Sequence, residues 1–175
     1  MRIDTSTVLI TEDEINKMIY RVSDAVNDFY GDTELVVIGI LTGAYVFTAD
    51  LVRKLKMPVT VDFMKVKSYQ GTDSTGQVTV TKDIETDIKG RNVLIVEDII
   101  DTGNTLKKLK EMLLERQPAS VRICTAFDKP DRRVNDLVPD FNGIVIPDKF
   151  IVGYGLDFDG QYRNFKDVRI VSFIE

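Results

Sequence analysis

The sequence predicts one α/β domain: a twisted, mainly parallel sheet flanked by helices. Three observations carry this expectation. LVVIGIL at 35–41 and VLIV at 93–96 are short continuous apolar runs, which suit strands buried on both faces, and VRICTAF at 121–127 reads as a third strand. Helical periodicities alternate with these runs, the order that strand–helix–strand crossovers and parallel pairing require. The chain has 175 residues, 43% hydrophobic and 29% charged, which fits a single globular unit over 1–175.

The elements follow in order. Thr11 with Glu14 forms a capping box, and Ile15, Met18, Ile19, Val22, Val26 and Phe29 recur at helical spacing, so 11–30 reads as an amphipathic helix ended at Gly31. The strand at 35–41 meets Thr42-Gly43, then a second helical run, AYVFTADLVRKL. Residues 59–67 and 77–82 read as antiparallel strands joined by a polar arm. Positions 68–77 hold two Gly, two Ser, two Thr and one Asp, so a mobile loop is expected over about 65–80. The strand at 93–96 leads into a helix over about 104–116, closed by Pro118. Strands at 121–127, 143–146 and 168–174 complete the reading. No repeat, low-complexity tract or linker interrupts it.

Composition excludes much chemistry. There is no histidine, which removes Ser-His-Asp and Cys-His mechanisms and every His-ligated metal. One cysteine excludes an internal disulfide and a cysteine-cluster zinc site. A net charge of −5 disfavours bulk nucleic-acid binding. No apolar run approaches membrane-spanning length, and MRIDTSTVLI lacks the apolar core of a signal peptide. With Cys124 in an apolar stretch, the expected location is cytoplasmic.

The sharpest segment is VLIVEDIIDTGNTL, 93–106. Read as strand–turn–helix, it delivers Glu97 and Asp98 to the carboxyl end of a strand, where open α/β sheets bind ligands. Asp101, Thr102, Gly103, Asn104 and Thr105 then form a turn whose free amides lie at the positive end of a helix dipole. Gly103 admits an anion closely, and Thr102 and Thr105 add hydroxyls, so the turn is a phosphate cradle. Asp101 and Thr102 also read as helix caps. Neither a Walker loop nor G-x-G-x-x-G is present. A phosphate cup beside two carboxylates suits a ribose 5-phosphate, whose hydroxyls the acids would bind, with Mg²⁺ near by.

This segment resembles the 5-phosphoribosyl-1-pyrophosphate (PRPP) signature of type I phosphoribosyltransferases: apolar residues, two acids, two apolar residues, then D-T-G-x-T. LTGAYVFTADL at 41–51 resembles the family's pyrophosphate loop, and SYQGTDSTGQV at 68–78 its mobile catalytic loop. DKPDRR at 128–133 and IPDKFIVGYGLDFDGQYRN at 146–164 resemble the base-binding segments of the hypoxanthine-guanine branch. The resemblance runs from about 35 to 175. It implies a small hood, made from the N-terminal residues and about 145–175, over the sheet.

The resemblance also implies roles. Glu97 and Asp98 would hold the ribose hydroxyls and face Mg²⁺. Asp101 would be the general base or acid at purine N7. Asp101 to Thr105 would bind the 5-phosphate. Thr42 and Gly43 would bind pyrophosphate through the backbone, beside a cis peptide; many relatives carry Lys or Arg where this chain has Thr42. Lys129 would donate to the purine O6 and select 6-oxopurines against adenine. Phe150 would stack on the base, and the Ile151 backbone would read its edge. Asp157 would bind a second Mg²⁺, Arg163 the pyrophosphate. Ser68 and Tyr69 would close over the site. The implied partners are PRPP and a 6-oxopurine, with no nucleic acid or membrane, in a homodimer or homotetramer. A xanthine-preferring enzyme and a non-catalytic PRPP or nucleotide sensor are the alternatives.

Overall fold

A computed structural model describes residues 2–68 and 78–174. Tyr69 and the rest of the arm to Gln77 lie outside the described residues. Along the chain, β1 (Arg2–Asp4) and β2 (Val8–Ile10) precede α1 (Glu12–Tyr30), β3 (Leu35–Leu41) and α2 (Tyr45–Val52). Then come β4 (Val59–Ser68), β5 (Val78–Lys82), β6 (Asn92–Ile100), α3 (Asn104–Leu114) and β7 (Ser120–Asp128). A 3₁₀ turn (Pro130–Arg132), β8 (Phe141–Val145), β9 (Ile151–Val152), β10 (Val168–Ile170) and β11 (Ser172–Ile174) finish it.

The apolar runs become the middle of a six-stranded sheet of order β5-β4-β3-β6-β7-β8. All neighbours are parallel except β4 and β5 at the edge. Strand periodicity divides the core between the two faces. Leu35, Val37, Leu94 and Val96 pack with α1 and α2, while Val36, Ile38, Val93 and Ile95 pack with α3. On β6 the alternation inverts beyond the acids, because Ile99 joins the first face and Ile100 the second. The twist of register falls at Glu97-Asp98.

The capping box of α1 forms: the Glu14 amide donates to Thr11 Oγ1 at 3.2 Å, and the Thr11 amide to Glu14 Oε2 at 2.8 Å. Its buried stripe ends in Tyr30 rather than Phe29. Phe29 lies edge-on to Phe141, under the Arg122 guanidinium. Several expected elements shift. The second helix stops at Val52, and α3 at Leu114, before the left-handed Gln117 turns the chain ahead of Pro118. β6 extends to Ile100, so the acids lie on the strand itself. The run 168–174 splits at Val171 into two strands with different partners. β10 pairs antiparallel with β2 and β9, and β11 pairs with β1. These two small sheets are built from the residues expected to form the hood.

Candidate active site

The strand order reverses between β3 and β6. The chain leaves β3 toward β4 on one side and returns with β6 on the other. Crevices beyond the carboxyl ends of strands at such a point are the natural ligand sites of open α/β sheets. Two turns meet there: Thr42-Gly43 after β3, and Asp101–Gly103 after β6. The peptide between Leu41 and Thr42 is cis.

Gly43 lies against the diacid. A Cβ at this position would sit 1.6 Å from Asp98 Oδ2, so no side chain fits. Burial, followed by repulsion from Asp98, pushes the Glu97 carboxyl well above the usual range. Burial also raises Asp98, against the pull of Arg163 and local hydrogen bonds. The pair accepts locally, Glu97 Oε1 from the Asp98 amide at 3.0 Å and Asp98 Oδ1 from the Ile99 amide at 2.6 Å. Two hard oxygen donors held in a partly dry place suit a cation or hydroxyl donors, either of which would relieve their repulsion.

The turn after β6 borders a cavity of about 170 Å³ lined by Glu97, Asp98, Asp101, Thr102, Gly103 and Thr105, among others. The helix cap is Gly103, at φ 84°, and no side chain caps α3, so the expectation that Asp101 or Thr102 does so is corrected. Among the described residues, the one side-chain approach to the leading amides is Asn104 N–H to Thr102 Oγ1 at 3.4 Å. The first turn therefore keeps donors for an outside anion.

The segment 128–135 is stitched to this turn. The Lys129 amide donates to Ile100 O at 3.0 Å and the Val134 amide to Thr102 O at 3.1 Å. Arg132 Nε donates to Asp101 Oδ1 at 2.7 Å. Arg133 donates to Asp101 O at 3.0 Å and pairs with Asp128, while Asn135 donates to Asn104 Oδ1 at 2.9 Å. Lys129, 8% exposed, points its ammonium at Lys149 O, 2.6 Å away. Phe150, 49% exposed, presents its ring to solvent beside the buried Ile151 of β9. Phe158 meets Phe150 edge-to-face at 5.7 Å.

Arg163 and Asp157 close the other side. Arg163 Nη2 pairs with Asp157 Oδ1 at 2.8 Å, and Asp157 Oδ2 accepts from Gly160 N–H at 2.8 Å. Arg163 Nη1 donates to Gly155 O at 2.6 Å. Asp157 is thus engaged by Arg163, and no three acids converge as a metal cluster among the described residues. Gly43 meets Asp98, and both acids share one cavity with Asp101, Thr102, Gly103 and Thr105. Lys129 reaches the Lys149 carbonyl, next in the chain to Phe150 and Ile151. Ser68 enters only as the last residue of β4. Sequence reading missed Arg132 and Arg133 as the braces of Asp101. They lie in the quoted DKPDRR, but their partner is 31 or 32 positions away, beyond any local pattern.

The family model described as "Phosphoribosyl transferase domain" matches residues 5–159. The hypoxanthine phosphoribosyltransferase of Salmonella typhimurium is 44% identical over 174 residues, covering 98% of each chain. The hypoxanthine-guanine phosphoribosyltransferase of Streptococcus pneumoniae is 42% identical over 170 residues, 97% of this chain and 94% of that one. Among solved structures, a hypoxanthine-guanine phosphoribosyltransferase from Bacillus anthracis superposes with a TM-score of 0.93 at 40% identity, covering 98% of this chain and all of the other. Sequence and fold agree along nearly the whole length, and the chain belongs to the phosphoribosyl transferase family, in its hypoxanthine-guanine branch.

Proposed function

We propose that the protein transfers the 5-phosphoribosyl group of PRPP to N9 of hypoxanthine or guanine, giving IMP or GMP and pyrophosphate, in purine salvage. The observation that carries this reading is the diacid of β6 set between an uncapped helix N-terminus and the Gly43 turn, at the sheet's switch point. N9 attacks C1 of the ribose as the bond from C1 to the pyrophosphate oxygen breaks, through an oxocarbenium-like transition state. Glu97 and Asp98 accept from the ribose hydroxyls and lie where positive charge develops. The amides and hydroxyls of Asp101–Thr105 hold the 5-phosphate, fixing C1 for attack. Asp101 exchanges a proton at N7, leaving Arg132 as the base arrives. Thr42, Gly43 and Arg163 receive the leaving group.

Lys129 donates to O6 and Phe150 stacks on the ring. A donor facing the adenine amino group would leave a buried mismatch costing about 1–3 kcal/mol, so adenine is rejected. Glu97, Asp98 and Asp157 are the residues that would hold Mg²⁺, and the mutual repulsion of the first two fits a hard cation. When bound, Mg²⁺ supplies neutralising charge to the PRPP oxygens. Ser68 and Tyr69 shield the site from water. We place the enzyme in the cytoplasm as a homodimer or homotetramer; sedimentation decides between them. Among the described residues, no helix is long and apolar enough to cross a membrane.

A spectrophotometric assay with PRPP and Mg²⁺, offering hypoxanthine, guanine, xanthine and adenine in parallel, tests this function. Turnover of hypoxanthine or guanine without adenine supports it. Fastest turnover of xanthine would make this a xanthine enzyme. PRPP binding without turnover of any base would make it a sensor.

A further inference from the structure

Behind the pyrophosphate side of the crevice lies a hydrogen bond between two elements that do not themselves touch substrate. Tyr154, 5% exposed, donates from its hydroxyl to Asp50 Oδ2 at 2.9 Å. Asp50 belongs to α2, the helix that begins directly after Thr42-Gly43, and its other oxygen pairs with Arg53. Tyr154 adopts φ 50°, a left-handed conformation unusual for a non-glycine residue. Its amide donates to Phe165 O at 2.9 Å, and its ring meets Phe127 edge-on at 6.2 Å. Such a conformation persists only where the surroundings over-determine it.

The next residue shows what this conformation sets. At Gly155 a Cβ would sit 2.1 Å from Gly43 O, so the two backbones touch. Gly155 exchanges two hydrogen bonds with Arg163: its amide donates to Arg163 O at 3.0 Å, and its carbonyl accepts from Nη1 at 2.6 Å. The Gly43 turn in turn rests on the Asp98 carboxylate. One side-chain hydrogen bond from α2 therefore ties together the two segments assigned to the leaving group. Beside it, the two meet where Gly155 faces the Gly43 carbonyl and the Val46 side chain.

We propose that Tyr154, through Asp50, is a positioning residue that holds the Gly43–Gly155 contact and so aligns the Thr42-Gly43 turn and Arg163 on pyrophosphate. This rests on the transferase reading above and adds a residue pair to it. The test compares Tyr154→Phe, Asp50→Leu, their double variant and Asp50→Asn, which keeps an acceptor for the hydroxyl. For Tyr154→Phe, KM for PRPP and, in the reverse direction, for pyrophosphate should rise about five- to tenfold, with the KM for hypoxanthine changed less than about twofold. Asp50→Leu should match it, the double variant should be no worse than either, and Asp50→Asn should restore near-native values. For Tyr154→Phe and Asp50→Asn the melting temperature should stay within about 2 °C of wild type. A PRPP KM that does not move would overturn the proposal. So would a parallel rise of every KM with a lower melting temperature, which is what mere packing predicts.

Calorimetric titration of pyrophosphate with Mg²⁺ separates the two readings. If the wild type turns over no 6-oxopurine, the transferase reading fails. Weaker pyrophosphate binding by Tyr154→Phe would still uphold the positioning role, and equal binding would end it.

Discussion

Asp101 sits at the foot of the crevice with its carboxylate held by Arg132 at 2.7 Å. Asparagine keeps its shape and removes its capacity to take a proton. Asp101→Asn should lower kcat about a hundredfold or more while leaving the KM for PRPP within a few-fold. Weakened PRPP binding with intact turnover would refute the base role. Glu97 makes the opposite kind of prediction. Its carboxyl is raised in the fold, so the native state binds its proton more tightly than the unfolded chain does. Stability therefore falls as pH climbs from the ordinary value of 4.5 through the raised one. Glu97→Gln removes that penalty: at pH 8 the melting temperature should rise about 2–4 °C, while the KM for PRPP increases. A lower melting temperature would show that the charge is not a burden. Both acids and the cradle were legible from a single stretch, because strand, turn and helix follow one another in the chain. Tyr154 was not, since its partner Asp50 is 104 positions away.

At the scale of elements, the capping box of α1 and the buried runs of β3 and β6 were readable because their signals are local. β1, β2 and β9 were not. They are two or three residues long and exist only through pairing with β10 and β11. The segment 128–135 shows the same limit. Its buried pair, Arg133 with Asp128, also engages Asn142 at 2.8 Å, Leu137 O at 2.5 Å and Asp101 O at 3.0 Å. Arg133 thus joins the end of β7, the loop before β8 and the turn after β6. Arg133→Met leaves Asp128 as an unpaired buried charge, which costs about 3 kcal/mol. At about 2–4 °C per kcal/mol, calorimetry should register a fall of roughly 6–12 °C. A shift under about 2 °C would mean that water reaches Asp128 freely.

Across the whole molecule, stability is unevenly spread. The central strands β3, β6 and β7 are buried between two apolar cores. The β1–β11 pair is three residues long, and all of β11 is exposed. Hydrogen exchange should find the amides of β3 and β6 opening only with global unfolding, and those of β11 exchanging more than about a thousandfold faster. Uniform protection would show that hood and sheet open as one unit. The sheet class and its switch point were foreseeable from the alternation of runs. The pairing of the hood's short strands was not: the resemblance named the N-terminal residues and about 145–175, but no local pattern told which strand would meet which.

That layout has a consequence on the ribosome. Val8–Ile10 emerges early but pairs with Val168–Arg169, which are made some 158 residues later. At 5–20 residues per second the delay is roughly 8–30 s. During that interval the central sheet and the Asp101–Thr105 turn are made, while β2 has no partner and its edge stands open. An early strand that must wait for a late one is a natural client for a nascent-chain chaperone.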